Sequence, residues 1–170
     1  MKRSTGALFS ANVHDVNLFV SYAHSDATWF ERLRPLLRIR VRTQALHSWH
    51  DQALEPGNKW HDEISRELDR MDVFVCLVSY AFLASDYIFH TELTRAQERY
   101  EEGEVEVLPI LIGDMDLQLD CPFLHHLNPL PAWNRPWCKH ARYDDALKPI
   151  GDGLKNVVDR IRGKRERAVS

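Results

Sequence analysis

Neither G-x-G-x-x-G nor G-x-x-x-x-G-K-[ST] occurs in the chain. A Rossmann-type dinucleotide cofactor and a nucleoside triphosphate on a P-loop are therefore not expected. No G-x-S-x-G elbow supports a serine hydrolase. The apolar stretch Val73–Ser79 ends without an aspartate, which argues against a phosphoacceptor receiver. Cysteine is scarce: Cys76, Cys121 and Cys138 are scattered through 170 residues. They make no disulfide framework and point to a reducing, cytoplasmic setting. No apolar run reaches the roughly 20 residues a membrane helix needs, and Met1–Val13 lacks the apolar h-region of a signal peptide. A net charge of −3 leaves no excess of one sign. The local basic clusters, Arg32, Arg34, Arg38, Arg40 and Arg42 and then Lys164, Arg165 and Arg167, read as solvated faces rather than a nucleic-acid surface.

What remains is one domain with enough chain to bury a full core. The pattern divides into a leader over residues 1–15, a domain over 16–162 and a basic C-terminal tail over 163–170. Val16–Ser21 is apolar without alternation, as a strand buried on both faces of a parallel sheet would be. Ser25 or Asp26 is placed to cap the next helix, whose Trp29, Phe30, Leu33 and Leu37 share a face. Pro35 predicts a kink or an early stop near Arg34. Thr43–Trp49 is a weaker strand, and Pro56-Gly57 marks the loop Asp51–Asn58 as a turn. Asn58 opens a helix with an apolar stripe at Trp60, Ile64, Leu68 and Met71.

Val73–Tyr80 is the clearest buried strand. A helix is expected over Asp86–Tyr100, with Phe89, Leu93, Ala96 and Tyr100 at core spacing, and Val105–Ile112 reads as another central strand. From Gly113 to Ala141 the pattern dissolves into loops, with a short strand possible near Trp137 and Cys138. Ala146–Arg162 closes the domain as a helix. Strands alternating with helices predict an α/β fold: a doubly wound, flavodoxin-like parallel sheet of about five strands flanked by helices.

In such a fold the carboxyl ends of adjacent strands make the crevice where ligands bind. Two stretches sit at such ends, Asn17–Asp26 (NLFVSYAHSD) and Ser85–Leu93 (SDYIFHTEL). Glu92 falls roughly 70° from the centre of its helix stripe, on a shoulder from which a carboxylate reaches a cleft. A plainer reading makes it a boundary glutamate paired with Arg95 or another nearby base. Tyr22, His24 and Ser25 lie near a helix N-terminus, suited to phosphate or ribose oxygens, although N-capping alone would explain Ser25 and Asp26. Trp49, Asp51 and Trp60 flank the following loop, where an aromatic can stack on a base, yet Trp60 fits its own core stripe well. Cys121, His125, Cys138 and His140 have a spacing that matches no common zinc finger, so no metal is expected.

These segments resemble a Toll/interleukin-1 receptor (TIR) domain of the bacterial kind. FVSYAHSD (Phe19–Asp26) is similar to the family's first box. SWHDQALEPGNKWHDEI (Ser48–Ile64) is similar to its second strand, the loop after it and the next helix. RMDVFVCLVSYAFLASDYIFHTEL (Arg70–Leu93) and VEVLPILIG (Val105–Gly113) resemble the third strand with its glutamate-bearing helix, and the fourth strand. The likeness covers about Val16 to Arg162.

TIR domains divide into adaptors that signal by self-association and enzymes that cleave NAD+. The resemblance places the catalytic glutamate on Glu92 and implies substrate contacts from Ser21, Tyr22, Ala23, His24, Trp49, Asp51 and Ile88. Enzymatic members often carry a tryptophan where this chain has Ile88. The implied activity is scission of the nicotinamide–ribose bond, by hydrolysis or cyclisation, with NAD+ as substrate and no cofactor. The implied setting is anti-phage defence signalling, with a homo-oligomer or filament as the active form and a separate effector protein as a further partner. Leu54, Pro56 and Gly57 form the expected assembly loop. A non-catalytic TIR scaffold and a nucleoside deoxyribosyltransferase-like enzyme are the competing readings.

Overall fold

Val16–Ser21 (β1) is buried at five of its six positions, as its largely apolar run without alternation predicts, the exception being Asn17. A computed structural model describes residues 14–50 and 58–170. Expectations for residues 1–13 of the leader, for Asp51, and for the assembly loop at Leu54, Pro56 and Gly57 lie outside the described residues. After β1 the chain makes a short 3-10 turn at His24–Asp26 and enters helix α1, Ala27–Gln44. The break expected near Arg34 does not occur. Pro35 withholds an N–H that would have bonded the Glu31 carbonyl, but both residues face solvent, where water can serve that oxygen. Helix α1 ends instead at Ala45, in the left-handed region at φ 50°, and strand β2 therefore begins later than expected, at Leu46–His50.

Helix α2 (Asn58–Arg70) buries Ile64 and Leu68, with Met71 just beyond it, along the stripe its sequence shows. Strand β3 (Val73–Val78) is buried at every position. Ser79 caps the short helix α3 (Tyr80–Ala84), its hydroxyl accepting the Phe82 N–H at 3.0 Å. A π-helical turn, Ile88–Leu93, then runs into α4 (Thr94–Glu101). Strand β4 (Glu106–Leu111), the short helices α5 (Leu117–Asp120) and α6 (Pro122–His125), and the long helix α7 (Leu147–Val169) complete the chain.

All four strands pair in parallel, in the order β2-β1-β3-β4. This is the flavodoxin-like winding expected from the sequence. The fifth position is held by a single bridge, Leu130 beside Ile110. Leu130 bonds at both of its backbone groups, to Pro109 O and Leu111 N, at 2.9 and 2.7 Å. Pro129 and Pro131 on either side have no N–H to extend the ladder. Trp137–Lys139 is a 3-10 turn rather than the short strand expected there. Its anchor is fully buried Trp137, whose ring N–H donates to Tyr143 O at 2.9 Å.

Apolar side chains fill both faces of the sheet. Leu18, Val20, Val73 and Val75 meet α1 and α7 on one face, and Phe19, Phe74, Cys76 and Val78 meet α2 and α4 on the other. Helix α7 continues past Arg162 to Val169, so the basic segment expected as a tail is helical up to that residue. Its Arg165 donates to Asp15 O at 2.6 Å and to Asp72 at 2.5 Å, tying that end of α7 to the start of β1.

Candidate functional site

The strand order reverses direction between β1 and β3, and ligands of doubly wound sheets bind outside the carboxyl ends of the strands at that switch point. Ser21 is the last residue of β1 and lies opposite Cys76 of β3. It is the polar end of a strand that is otherwise apolar but for Asn17, and it is fully buried. Its hydroxyl donates to Glu92 Oε2 at 2.5 Å. Glu92 itself is 1% exposed. Burying a charge is costly unless it is paired or hydrogen-bonded. Among the described residues the buried polar side chains are Ser21, Glu92 and Arg99. Arg99 has a structural task, donating to Leu68 O, Met71 O and Glu104 at the other end of the sheet. The other two form one pair at the switch point.

The π-helical turn explains why Glu92 lies deeper than its wheel position suggests. One extra residue in the turn rotates everything before it relative to α4. Ile88 takes the inward place that a regular helix would give to Phe89: Ile88 is 6% exposed and Phe89 40%. Phe89 and Tyr100, expected in the core, face solvent. Arg95, the base named in the plainer reading of Glu92, pairs with Asp69 and Glu98.

Ala23, Trp49 and Ile88 belong to the same apolar cluster as Phe19, on the α2 side of the sheet. Trp49 is half-buried over Phe19, ring centroids 4.8 Å apart. Tyr22 lies on the opposite face, its ring stacked on Phe30 at 4.6 Å, and His24 is exposed on the 3-10 turn. The site therefore brings together Ser21, Ala23, Trp49, Ile88 and Glu92 and leaves Tyr22 behind the sheet. Trp60 does pack against this core, and it also stacks on Tyr87 at 4.8 Å.

A second bond spans the switch point: Ser79 Oγ donates to Asp26 Oδ2 at 2.5 Å, joining the loop after β1 to the start of α3. Asp26 thus acts across the crevice and makes no side-chain cap on α1; Ser25 makes none either. The sequence signal for this pair was Ser79 directly after the buried strand β3 and Asp26 in the polar loop after β1. The thiol of Cys76 is pushed well above its ordinary value, by burial first and then by Cys121 and Glu92 nearby. Burial also raises Cys121, partly offset by backbone N–H groups of Leu124 and Phe123. Among the described residues no three His, Cys, Asp or Glu side chains are grouped to hold a metal. Nor is any described helix long and apolar enough to cross a membrane.

A family model for the TIR domain matches residues 18–147. The chain belongs to the TIR-domain family. Among curated proteins it is similar to the uncharacterized protein y4lF of Sinorhizobium fredii (strain NBRC 101917 / NGR234), 30% identical over 145 residues. That match covers 85% of this chain and 44% of the relative, so the chain spans less than half of that protein's length. Among solved structures it is similar to the TIR domains in the activated Roq1 resistosome directly recognizing the pathogen effector XopQ. There the TM-score is 0.48 at 15% identity, covering 91% of this chain and 99% of that one. In this TIR domain the residues of the first box and of the glutamate-bearing segment meet at the Ser21–Glu92 pair.

Proposed function

We propose that this TIR domain cleaves NAD+ at the bond between nicotinamide and ribose, with Glu92 as the catalytic carboxylate. The observation that carries the reading is the buried Ser21–Glu92 pair at the switch point of the sheet. A carboxylate held in an apolar interior at the ligand-binding end of a wound sheet is a functional-site signature. Nicotinamide is cationic in NAD+ and leaves as a neutral ring with the electron pair of the broken C–N bond, so the leaving group needs no proton. The ribose carbon left behind develops positive charge. Glu92 faces that charge or grips the ribose hydroxyls, and low surrounding polarity strengthens the attraction. Ser21 acts as a positioning residue that fixes the carboxylate. Ala23, Trp49 and Ile88 supply apolar walls, with Trp49 the flat one. Water adding to the ribose carbon gives ADP-ribose; an adenine nitrogen gives a cyclic product.

The setting follows from the same reading: a cytoplasmic signalling enzyme of bacterial anti-phage defence, acting on NAD+ with no cofactor and passing its product to a separate effector. Self-association through the loop at Leu54, Pro56 and Gly57 completes the site by excluding water. The test is nicotinamide release from NAD+ by the concentrated, purified chain. Turnover is expected; its complete absence under crowding and across concentration would leave a binding scaffold, and release of bases from deoxynucleosides would point to the deoxyribosyltransferase chemistry.

A further inference from the structure

Helix α1 carries the basic cluster Arg32, Arg34, Arg38, Arg40 and Arg42. Packing gives two of these arginines other work. Arg32 is clamped between the rings of Trp29 and Tyr143, 4.5 and 4.7 Å from their centroids. Arg40 lies against Gly151 of α7, its guanidinium 2.9 Å from the place a Cβ would take. Arg34, Arg38 and Arg42 are four residues apart and so share one face of the helix. They line an open groove of about 890 Å³ between α1 and the edge strand β2, with Ser48 and His50 of β2 on the other wall. Arg34 is paired with Glu31, which lines the same groove. Arg38 and Arg42 are exposed and form no ion pair among the described residues.

We infer that this groove binds a diphosphate group, seated between Arg38 and Arg42. Like charges one helical turn apart repel, and an anion held between them turns that repulsion into attraction. Residues four apart on a helix stand about 6 Å apart along its axis. Two linked phosphoryl groups span such a gap, whereas a single phosphate reaches one guanidinium well and the other poorly. Each guanidinium offers paired N–H donors that match phosphate oxygens two by two. Ser48 makes no side-chain hydrogen bond among the described residues, so its hydroxyl is available from the opposite wall. Inorganic pyrophosphate and the diphosphate of a nucleotide share this chemistry. A nucleic acid fits less well, because it needs basic residues that continue along its backbone. Here Arg32 and Arg40 are turned elsewhere, Glu31 stands at one end of the row, and exposed Ile39 and Val41 line the groove. The groove lies on the α1 face of the sheet, while the residues flanking Glu92 pack on the α2 face. The site is therefore separate from the Ser21–Glu92 pair, and its occupancy does not rest on the NAD+ reading.

Isothermal titration calorimetry of the chain with inorganic pyrophosphate and, separately, with ADP tests the inference at constant ionic strength. One saturable site per chain is expected, with orthophosphate binding at least about tenfold more weakly. Tighter binding of ADP than of pyrophosphate would name a nucleotide as the source, its nucleoside lying along Pro35, Ile39 and Val41. Equal or weaker binding of ADP would name the inorganic anion, and either result supports the site. Arg38→Gln combined with Arg42→Gln should weaken binding at least about tenfold. Glu31→Gln, which releases Arg34, should tighten it about two- to fivefold, the range of one exposed ion pair. These three positions are exposed, and circular dichroism checks that the fold is kept. Glu92→Gln should bind both anions as wild type does. No saturable binding of either anion up to about 10 mM would overturn the inference. So would orthophosphate binding as tightly as pyrophosphate, an unchanged affinity in the double variant, or a weakened one in Glu31→Gln. Binding lost in Glu92→Gln would move the anion to the crevice, and binding of a DNA oligonucleotide but of neither anion would assign the groove to nucleic acid; both would overturn it. A chain that binds diphosphate without cleaving NAD+ would defeat only the catalytic reading, and an active chain with an empty groove only this one.

Discussion

Ser21 and Glu92 make the smallest unit on which the functional account rests. A hydrogen bond to a charged group contributes about 1.5–3 kcal/mol, and if it is expressed in the transition state its loss slows the reaction by about 10–100-fold. We predict that Ser21→Ala lowers kcat for NAD+ by that amount, with KM changing little, in steady-state kinetics of nicotinamide release. An equal change in KM and no change in kcat would make Ser21 a substrate contact instead. The thiols offer a check on the same region. Cys138 is exposed, while Cys76 and Cys121 are buried with thiol ionisation pushed up. A disulfide reagent should therefore modify one thiol promptly in the native protein and three after denaturation. The sign of the pH dependence follows. The folded state holds the Cys76 and Cys121 protons after the unfolded state has released them, so they add stability below the unfolded thiol value of about 8.5 and lose it as pH rises above that. Denaturant midpoints should fall with pH in that alkaline window. Glu92 was legible as a candidate from its place in SDYIFHTEL. Its bond to Ser21 was not, because residues 71 apart share no local signal.

At the scale of elements, the π-helical turn decides which side chains face the site. A regular 3.6-residue period puts Phe89 inward and Ile88 outward; the structure does the reverse. We predict that Ile88→Ala costs about 2–5 kcal/mol, as for other buried aliphatic truncations, while Phe89→Ala stays within about 0.5 kcal/mol. Urea unfolding of both variants measures this, and the opposite ranking would restore a regular helix. Periodicity cannot announce an inserted residue, since the pattern on either side of it remains helical. Pro35 misled for a related reason. A proline disrupts a helix less where water can serve the carbonyl it leaves unbonded, and exposure at Glu31 depends on how α1 packs. Val16–Ser21 and Val73–Val78, by contrast, were legible to within a residue or two, because burial on both faces leaves a largely apolar run without alternation.

For the whole molecule, alternation of strands and helices was enough to give the parallel, doubly wound sheet, and the flavodoxin-like winding came with the TIR resemblance. The fifth strand reduced to Leu130 was not legible, since prolines on both sides interrupt the pattern without removing the bridge. Nor did the sequence indicate that Tyr22 stands on the far face, because strand alternation past Ser21 depends on where β1 ends. The wound sheet brings the ends of β1 and β3 side by side, and that juxtaposition turns two distant motifs into one buried pair. The central claim is that the charge of Glu92 does the chemistry there. Glu92→Gln keeps the shape and removes the charge, so the direct measurement is nicotinamide release from NAD+ by this variant and by wild type, at matched concentration and with matching circular dichroism. We predict a loss of at least about 10²–10³-fold, the scale of removing one preorganised electrostatic group. A folded Glu92→Gln protein that releases nicotinamide within a few-fold of wild type would contradict the account.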